Sequence, residues 1–301
     1  MHAGCPQMTI LPSNAGLPQL DGVYGPISMR ADLYPGETPA RWARLLDEWC
    51  AERGFDPATQ TSVNLFRCLW EFDLMAEAHQ LRRSLGRTLQ FRADVRRLAA
   101  LTVYRLSQRF GLALDPRDRL HRGAFLGAHL RTSADAEKAG WLNDAAGSFD
   151  GQTDAQLALA AAANLSVVYV ATGNAVDLAR FAVKAWERGR VNVTSKAALL
   201  TGADLDELNA LSWDQQALVD YEVLLKCSRF AGFTKSSYSW NIAIRRNLVG
   251  QEWNRIEGVE VKEDPYKVLQ EEEEVAFDDG LSRLGGHDGW HEMKIPKGMW
   301  P

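Results

Sequence analysis

The chain has 301 residues, 46% of them hydrophobic and 24% charged, with a formal net charge of −5. That length exceeds one average domain, and the apolar content is enough for a sizeable core, divided over two lobes. The acidic balance argues against a general nucleic-acid binder, which needs a basic face, but leaves room for a local basic pocket that holds a phosphate.

Along the chain, residues 1–40 carry PSNAGLP, DGVYGP and YPGETP in quick succession, a punctuation that keeps regular structure short. Met1–Pro6 has neither the basic start nor the apolar stretch of a signal peptide. Three helices are predicted next. ARWARLLDEWC places Trp42, Leu45, Leu46 and Trp49 at helical spacing, and Ser62–Leu85 follows with Thr61 or Ser62 as its cap. The third, about Leu89–Phe110, puts Phe91, Val95, Leu98 and Leu106 on one side, arginines on much of the rest, and Gly111 at its end as a C-cap.

After DPRDRLHRG the period changes. FLGAHLR (Phe125–Arg131) reads as a buried strand, and Ala155–Ala163 as a helix feeding the strand Ser166–Thr172. The run Ala155–Thr172 is the most membrane-like of the chain, but Asn164 and Ser166 interrupt it and its residue types change halfway, so no membrane segment is expected. The helix DLARFAVKAWERG, the short β run Val191–Ser195 and the helix DQQALVDYEVLLKCS, with Asp214 as its cap, come next. The strand RFAGF and a helix from Ser236 or Ser237 to about Asn247 close the series. Strands alternating with helices imply βαβ units and a mostly parallel, Rossmann-like sheet. Residues 250–301 contain an acidic run at Glu271–Glu274, four glycines at 280–289, and Trp253, Trp290 and Trp300, and are expected to form a partly docked extension.

In open α/β sheets ligands bind beyond the carboxyl ends of the strands. His129 and Arg131 stand at such an end, two residues apart and so on one side of the strand, and an Arg fork there suits a phosphate. RFAGFTKSSYSWNIAIRR adds a strand, a Gly, a short polar loop and two serines opening a helix, whose amides and hydroxyls make an anion site. Facing one crevice, the two motifs hold the two ends of a diphosphate. Each motif also has a purely structural explanation: an ion pair for HxR and N-caps for Ser236 and Ser237. The cysteines Cys5, Cys50, Cys68 and Cys227 form no CxxC pair and read as buried thiols, with no metal site expected. The sequons at Asn164 and Asn192 lie at or beside predicted buried strands, which disfavours their glycosylation.

HLR at His129–Arg131 and DYEVLLKCSRFAGFTKSSYSWNIAIRR together resemble two peptide motifs of the O-fucosyltransferases, in particular the fungal and plant type. The family pattern of an Asp, an apolar helix, a strand ending Phe-x-Gly and Ser-Ser-aromatic falls on Asp220, Phe230 with Gly232, and Ser236-Ser237-Tyr238, with Tyr where the family more often has Phe. The resemblance spans Phe125–Arg246 and implies a GT-B-type glycosyltransferase whose Rossmann-like C-terminal lobe binds GDP-fucose. It assigns Arg131 to the donor's β-phosphate, His129 to the donor pocket, Asp220 to the guanine and Ser236, Ser237 and Tyr238 to the diphosphate. Asp214 competes for the guanine role. It further implies inverting, metal-independent transfer of fucose to a hydroxyl acceptor, a protein or a glycan.

The domains expected are a helix-rich, incomplete N-terminal lobe at 1–120, the nucleotide-sugar lobe at 121–250 and the extension at 251–301. The first lobe of the family opens with a strand and a Gly-rich loop carrying an Asn; Ser13–Gly16, with Asn14, is flanked by prolines, and Cys5–Leu11 resembles a strand from midway through such a lobe. The chain is therefore expected to start late in that lobe. Glu37, Asp47, Glu71 and Asp73 read as helix-surface carboxylates, so no general base is assigned. The second reading is a non-catalytic relative that binds a nucleotide or a protein partner through the same lobe.

Overall fold

The computed structural model describes residue 51, residues 90–257 and residues 277–286, with side chains to residue 250 in the long last helix. The chain divides into two compact units, and everything described below belongs to the second, which spans Gln80–Pro296 with Trp300–Pro301. The helices at 40–50 and 62–85, the loop around Asn14, the four early carboxylates, Cys5, Cys50, Cys68, the Glu271–Glu274 run, Trp290 and Trp300 lie outside the described residues.

The unit opens with helix α1 (Ala93–Phe110), whose buried face is Val95, Leu98, Ala99, Thr102, Val103 and Leu106. It stops at Gly111, which takes the left-handed φ of 63° that a side chain resists and donates its amide to Ser107 O. The arginines on its other side are solvated or paired: Arg97 bonds Asp204 and Glu207.

Then come β1 (Leu126–His129), α2 (Ala134–Lys138), α3 (Phe149–Ala162), β2 (Val167–Ala171), α4 (Ala175–Gly189) and β3 (Asn192–Thr194). They are followed by α5 (Lys196–Leu199), α6 (Ala203–Ala210), α7 (Trp213–Leu225), β4 (Arg229–Phe233), α8 (Ser237–Glu257), β5 (Phe277–Asp278) and β6 (Ser282–Gly285). The six strands form one sheet in the order β3-β2-β1-β4-β6-β5, parallel except where β5 meets β6. All five residues of β2 are buried, as a central parallel strand covered on both faces requires.

The two faces have different coats. Leu126, Ala128, Val168, Val170 and Ala231 pack with Ala160, Phe181 and Ala185 of α3 and α4. On the other face, a Cβ on Gly127 would meet Cys227 Sγ at 2.6 Å and Leu224 at 2.8 Å, so α7 sits directly on β1. Cys227 is buried there, and burial pushes its thiol up in pKa.

Several boundaries differ from the periodicity. α3 starts six residues before Ala155, with Ser148 accepting from Gly151 N as its cap. The cap of α7 is Ser212, in a capping box with Gln215, and Asp214 is a first-turn acid instead. The extension supplies β5 and β6, the second of which pairs with β4. Asn164 is exposed, at φ 52° in the turn before β2. No helix among the described residues is long and apolar enough to cross a membrane.

Candidate functional site

The strand order reverses at β1 and β4: from β1 the chain moves out to β2 and β3, then returns across the sheet to β4 on β1's other side. A crevice opens at the carboxyl ends of strands at such a switch point. Five of the six sequence-derived candidates stand here, on the end of β1 and the start of α8.

His129 ends β1, and its Nδ1 lies 2.8 Å from Ser239 Oγ in the first turn of α8. Ser239 Oγ also accepts the backbone N–H of Phe233, at 3.1 Å, so one hydroxyl joins β1, β4 and α8. Gly232 makes this approach possible, because a Cβ there would lie 2.7 Å from both Cβ and Oγ of Ser239. The His129 ring packs on Tyr238 with centroids 4.8 Å apart. Burial, and then the Arg131 charge, hold the imidazole down at about 3, so it is neutral at physiological pH.

Arg131 lies past the strand and turns elsewhere. Its guanidinium forks onto both carboxylate oxygens of Asp135 and lies 5.6 Å from the centroid of the Trp141 ring. Its backbone is clamped by Gln152, whose Oε1 accepts from the Arg131 N–H at 2.8 Å and whose amide donates to the Arg131 carbonyl at 3.1 Å. Lys235, on the loop from β4 to α8, reaches Asp144 Oδ2 at 3.2 Å. In both pairs the cation is mostly covered and the acid is open: 17% against 58% for Arg131–Asp135, and 17% against 44% for Lys235–Asp144. With their carboxylates open to water, such pairs contribute about 0–1 kcal/mol.

Ser236 caps α8; its Oγ accepts from Ser239 N at 3.4 Å. The amides of Ser237 and Tyr238 occupy the first turn, where a helix offers no internal acceptor. The Tyr238 hydroxyl donates to Ala217 O at 2.8 Å, which ties this turn to α7.

Asp220 stands apart from this cluster. It is 3% exposed on α7, facing the middle of β2. One of its oxygens accepts from the Tyr169 hydroxyl at 2.7 Å and the other from Lys196 Nζ at the start of α5. Burial raises its pKa, opposed by the Lys196 charge. Both oxygens of the carboxylate are thus engaged inside the fold. Asp214 lies on the exposed first turn of α7.

On the α3 face of the same sheet a cleft of about 80 Å³ runs between α3 and the ends of β4 and β6. Gln152, Gln156, Phe233, Arg283, Gly285 and Gly286 are among its walls. None of Asp135, Gln152, Gln156, Lys235, Ser239 or Arg283 was singled out by motif. Only SSYS, with a third serine on the next helical position but one, offered a signal for Ser239.

No protein-family model matches the chain, and the curated proteins compared with it include no match. Among the described residues no group of three or more His, Cys, Asp or Glu is placed to share a metal ion.

Proposed function

We propose that this lobe binds the donor of a GDP-fucose-dependent glycosyltransferase of GT-B type, with the diphosphate at the β1–β4 switch point. One observation carries the reading: two cations, Arg131 and Lys235, and the open first turn of α8 all follow the carboxyl ends of the adjacent parallel strands β1 and β4. The resemblance of HLR and the Ser-Ser-Tyr segment to O-fucosyltransferase motifs supplies the identity of the donor.

In this reading the acceptor hydroxyl attacks fucose C1 from the side opposite the diphosphate. The bond from C1 to the β-phosphate oxygen breaks, and GDP leaves with inversion at C1. The electron pair of that bond stays on the β-phosphate, where Arg131 and the α8 amides stabilise the growing charge, and the hydroxyl proton passes to solvent or to a base. Neutral His129 holds the α8 turn in place through Ser239 and adds no charge of its own. Asp220 keeps Lys196 and Tyr169 in register beneath the site and acts on the donor only through that framework.

The test is donor turnover by the full 301-residue chain. GDP is expected to raise the melting temperature, GDP-fucose to be hydrolysed or transferred, and Arg131→Ala to remove both effects. Absence of any GDP-induced shift in the wild type, together with an unchanged Arg131→Ala protein, overturns the proposal. A GDP shift without turnover assigns the lobe to a non-catalytic nucleotide binder.

A further inference from the structure

We infer that the carboxyl end of β2 is an acceptor subsite for a carbohydrate, with the indole of Trp213 as the platform on which one pyranose ring stacks. The acceptor role rests on the transfer reading above; the platform itself rests on what surrounds Gly173. A Cβ added at Gly173 would lie 3.1 Å from Trp213 Nε1 and 3.3 Å from Ser133 Oγ. The first turn of α7 and the N-cap of α2 thus close on the one bare position after β2. Gly173 is not among the glycines of positive φ, so its missing side chain serves this approach and not the backbone.

Trp213 is 63% exposed, and it and Val176 are the two most exposed large apolar side chains among the described residues. Val176 stands in the first turn of α4, three residues past Gly173, so both gather at the same end of β2. Apolar surface kept open in this way marks a place where a ligand lies. Two polar groups border it. The indole N–H has no hydrogen-bond partner among the described residues, and Ser133, although it holds the N-cap position of α2, makes no side-chain cap. An aromatic face edged by a donor and a hydroxyl matches a pyranose. The C–H bonds of such a ring carry partial positive charge and settle on the negative π face, while its hydroxyls both give and take hydrogen bonds. A nucleobase also stacks, but reading its edge takes an amide or a carboxylate, and the two that follow Gly173 and Ser133 are engaged. Asn174 Oδ1 accepts from the N–H groups of Val176 and Asp177, and its Nδ2 donates to Asp177 Oδ2 at 2.9 Å. Asp135 is bonded to Arg131.

Position links the platform to the transfer. The ends of β1 and β2 run side by side, with His129 and Ala171 in register and the Leu130 N–H donating to Ala171 O at 3.0 Å. Ser133 lies two residues past Arg131 on the same connection. The platform is therefore one strand over from the proposed diphosphate, on the side of β1 away from β4. A ring held there lies beside the anion site without occupying it.

The test is calorimetric titration of the full chain with cellotriose, chitotriose and maltotriose, and in parallel with GDP and GDP-fucose. Trp213→Ala removes the platform and Trp213→Phe keeps a ring; neither touches the buried core. At least one trisaccharide is expected to bind the wild type. Trp213→Ala is expected to weaken it about tenfold or more, and Trp213→Phe by less than about threefold, with GDP affinity the same in all three proteins. No trisaccharide binding by the wild type, or equal binding by Trp213→Ala, overturns the subsite. A loss of GDP affinity in Trp213→Ala also overturns it, since the ring then carries the base. So does a loss confined to the margin of GDP-fucose over GDP, since the ring then carries the donor's own sugar. If a trisaccharide binds through Trp213 and GDP does not bind at all, the donor proposal falls and the carbohydrate site stands.

Discussion

At the scale of single residues, His129 and Arg131 show how one strand end separates two jobs. His129 is inside, neutral and bonded to Ser239; Arg131 is past the strand, charged and held by a weak, open carboxylate. Arg131→Ala is therefore expected to abolish anion binding while changing stability by no more than about 1 kcal/mol, which GDP titration and urea unfolding of the same protein check together. His129 predicts a pH effect. Its folded pKa of about 3 lies below the ordinary 6.5, so on acidification the unfolded chain takes up a proton that the folded chain refuses. Stability is fully present above about 6.5 and falls as pH drops toward 3, at up to about 1.4 kcal/mol per pH unit for one such group. His121 is also held down by burial and contributes in the same direction. Urea unfolding at pH 7 and pH 5 is expected to show this loss, and His129→Asn to remove one of the two histidine contributions. An identical loss in the variant contradicts the assignment.

At the scale of elements, the switch point depends on two close fits. Gly232→Ala drives a methyl to 2.7 Å from Ser239, and with Leu284 Cδ2 at 2.8 Å on the same side there is no room to yield. The variant is expected to lose about 1–3 kcal/mol and to weaken GDP binding, because α8 must move off β4. Ser212→Ala, which removes the capping box of α7, is expected to cost about 1 kcal/mol and leave GDP binding intact, a contrast readable by thermal melts with and without GDP. The sequence made most of this architecture legible, because RFAGF, SVVYVAT and the α1 stripe carry strong periods that tertiary contacts do not override. It placed the cap of α7 two residues late, since Ser212 and Asp214 are both good caps and only the Gln215 side chain decides between them. β6 escaped because GLSRLGG is short and glycine-rich, and its partner β4 lies about fifty residues earlier. The partners of the site escaped for a different reason: that Gln156 meets the His129 carbonyl, or Lys196 meets Asp220, is set by how α3 and α5 pack, not by any local pattern.

At the scale of the molecule, Arg246 joins the late elements together. It is fully buried, and its guanidinium donates to the carbonyls of Leu224 and Leu225 at the end of α7 and of Cys227 and Ser228 after it, and to Leu281 O and Ser282 Oγ at β6. Arg246→Met is expected to leave those carbonyls unpaired and cost roughly 3 kcal/mol or more, read as a lowered urea midpoint. Asp279, also buried, closes the β5–β6 turn by accepting from the amides of Leu281 and Ser282, and Asn247 donates to it from α8. The region expected as a tail thus contributes part of the sheet on which the proposed site is built. The central claim is that a nucleoside diphosphate binds where β1 and β4 end, and hydrogen exchange of the full chain with and without GDP tests it most directly. Added GDP is expected to slow exchange in residues 130–136 and 234–239 and to leave the α1 and α4 surfaces unchanged. Slowing confined to other segments, or none at saturating GDP, contradicts the account.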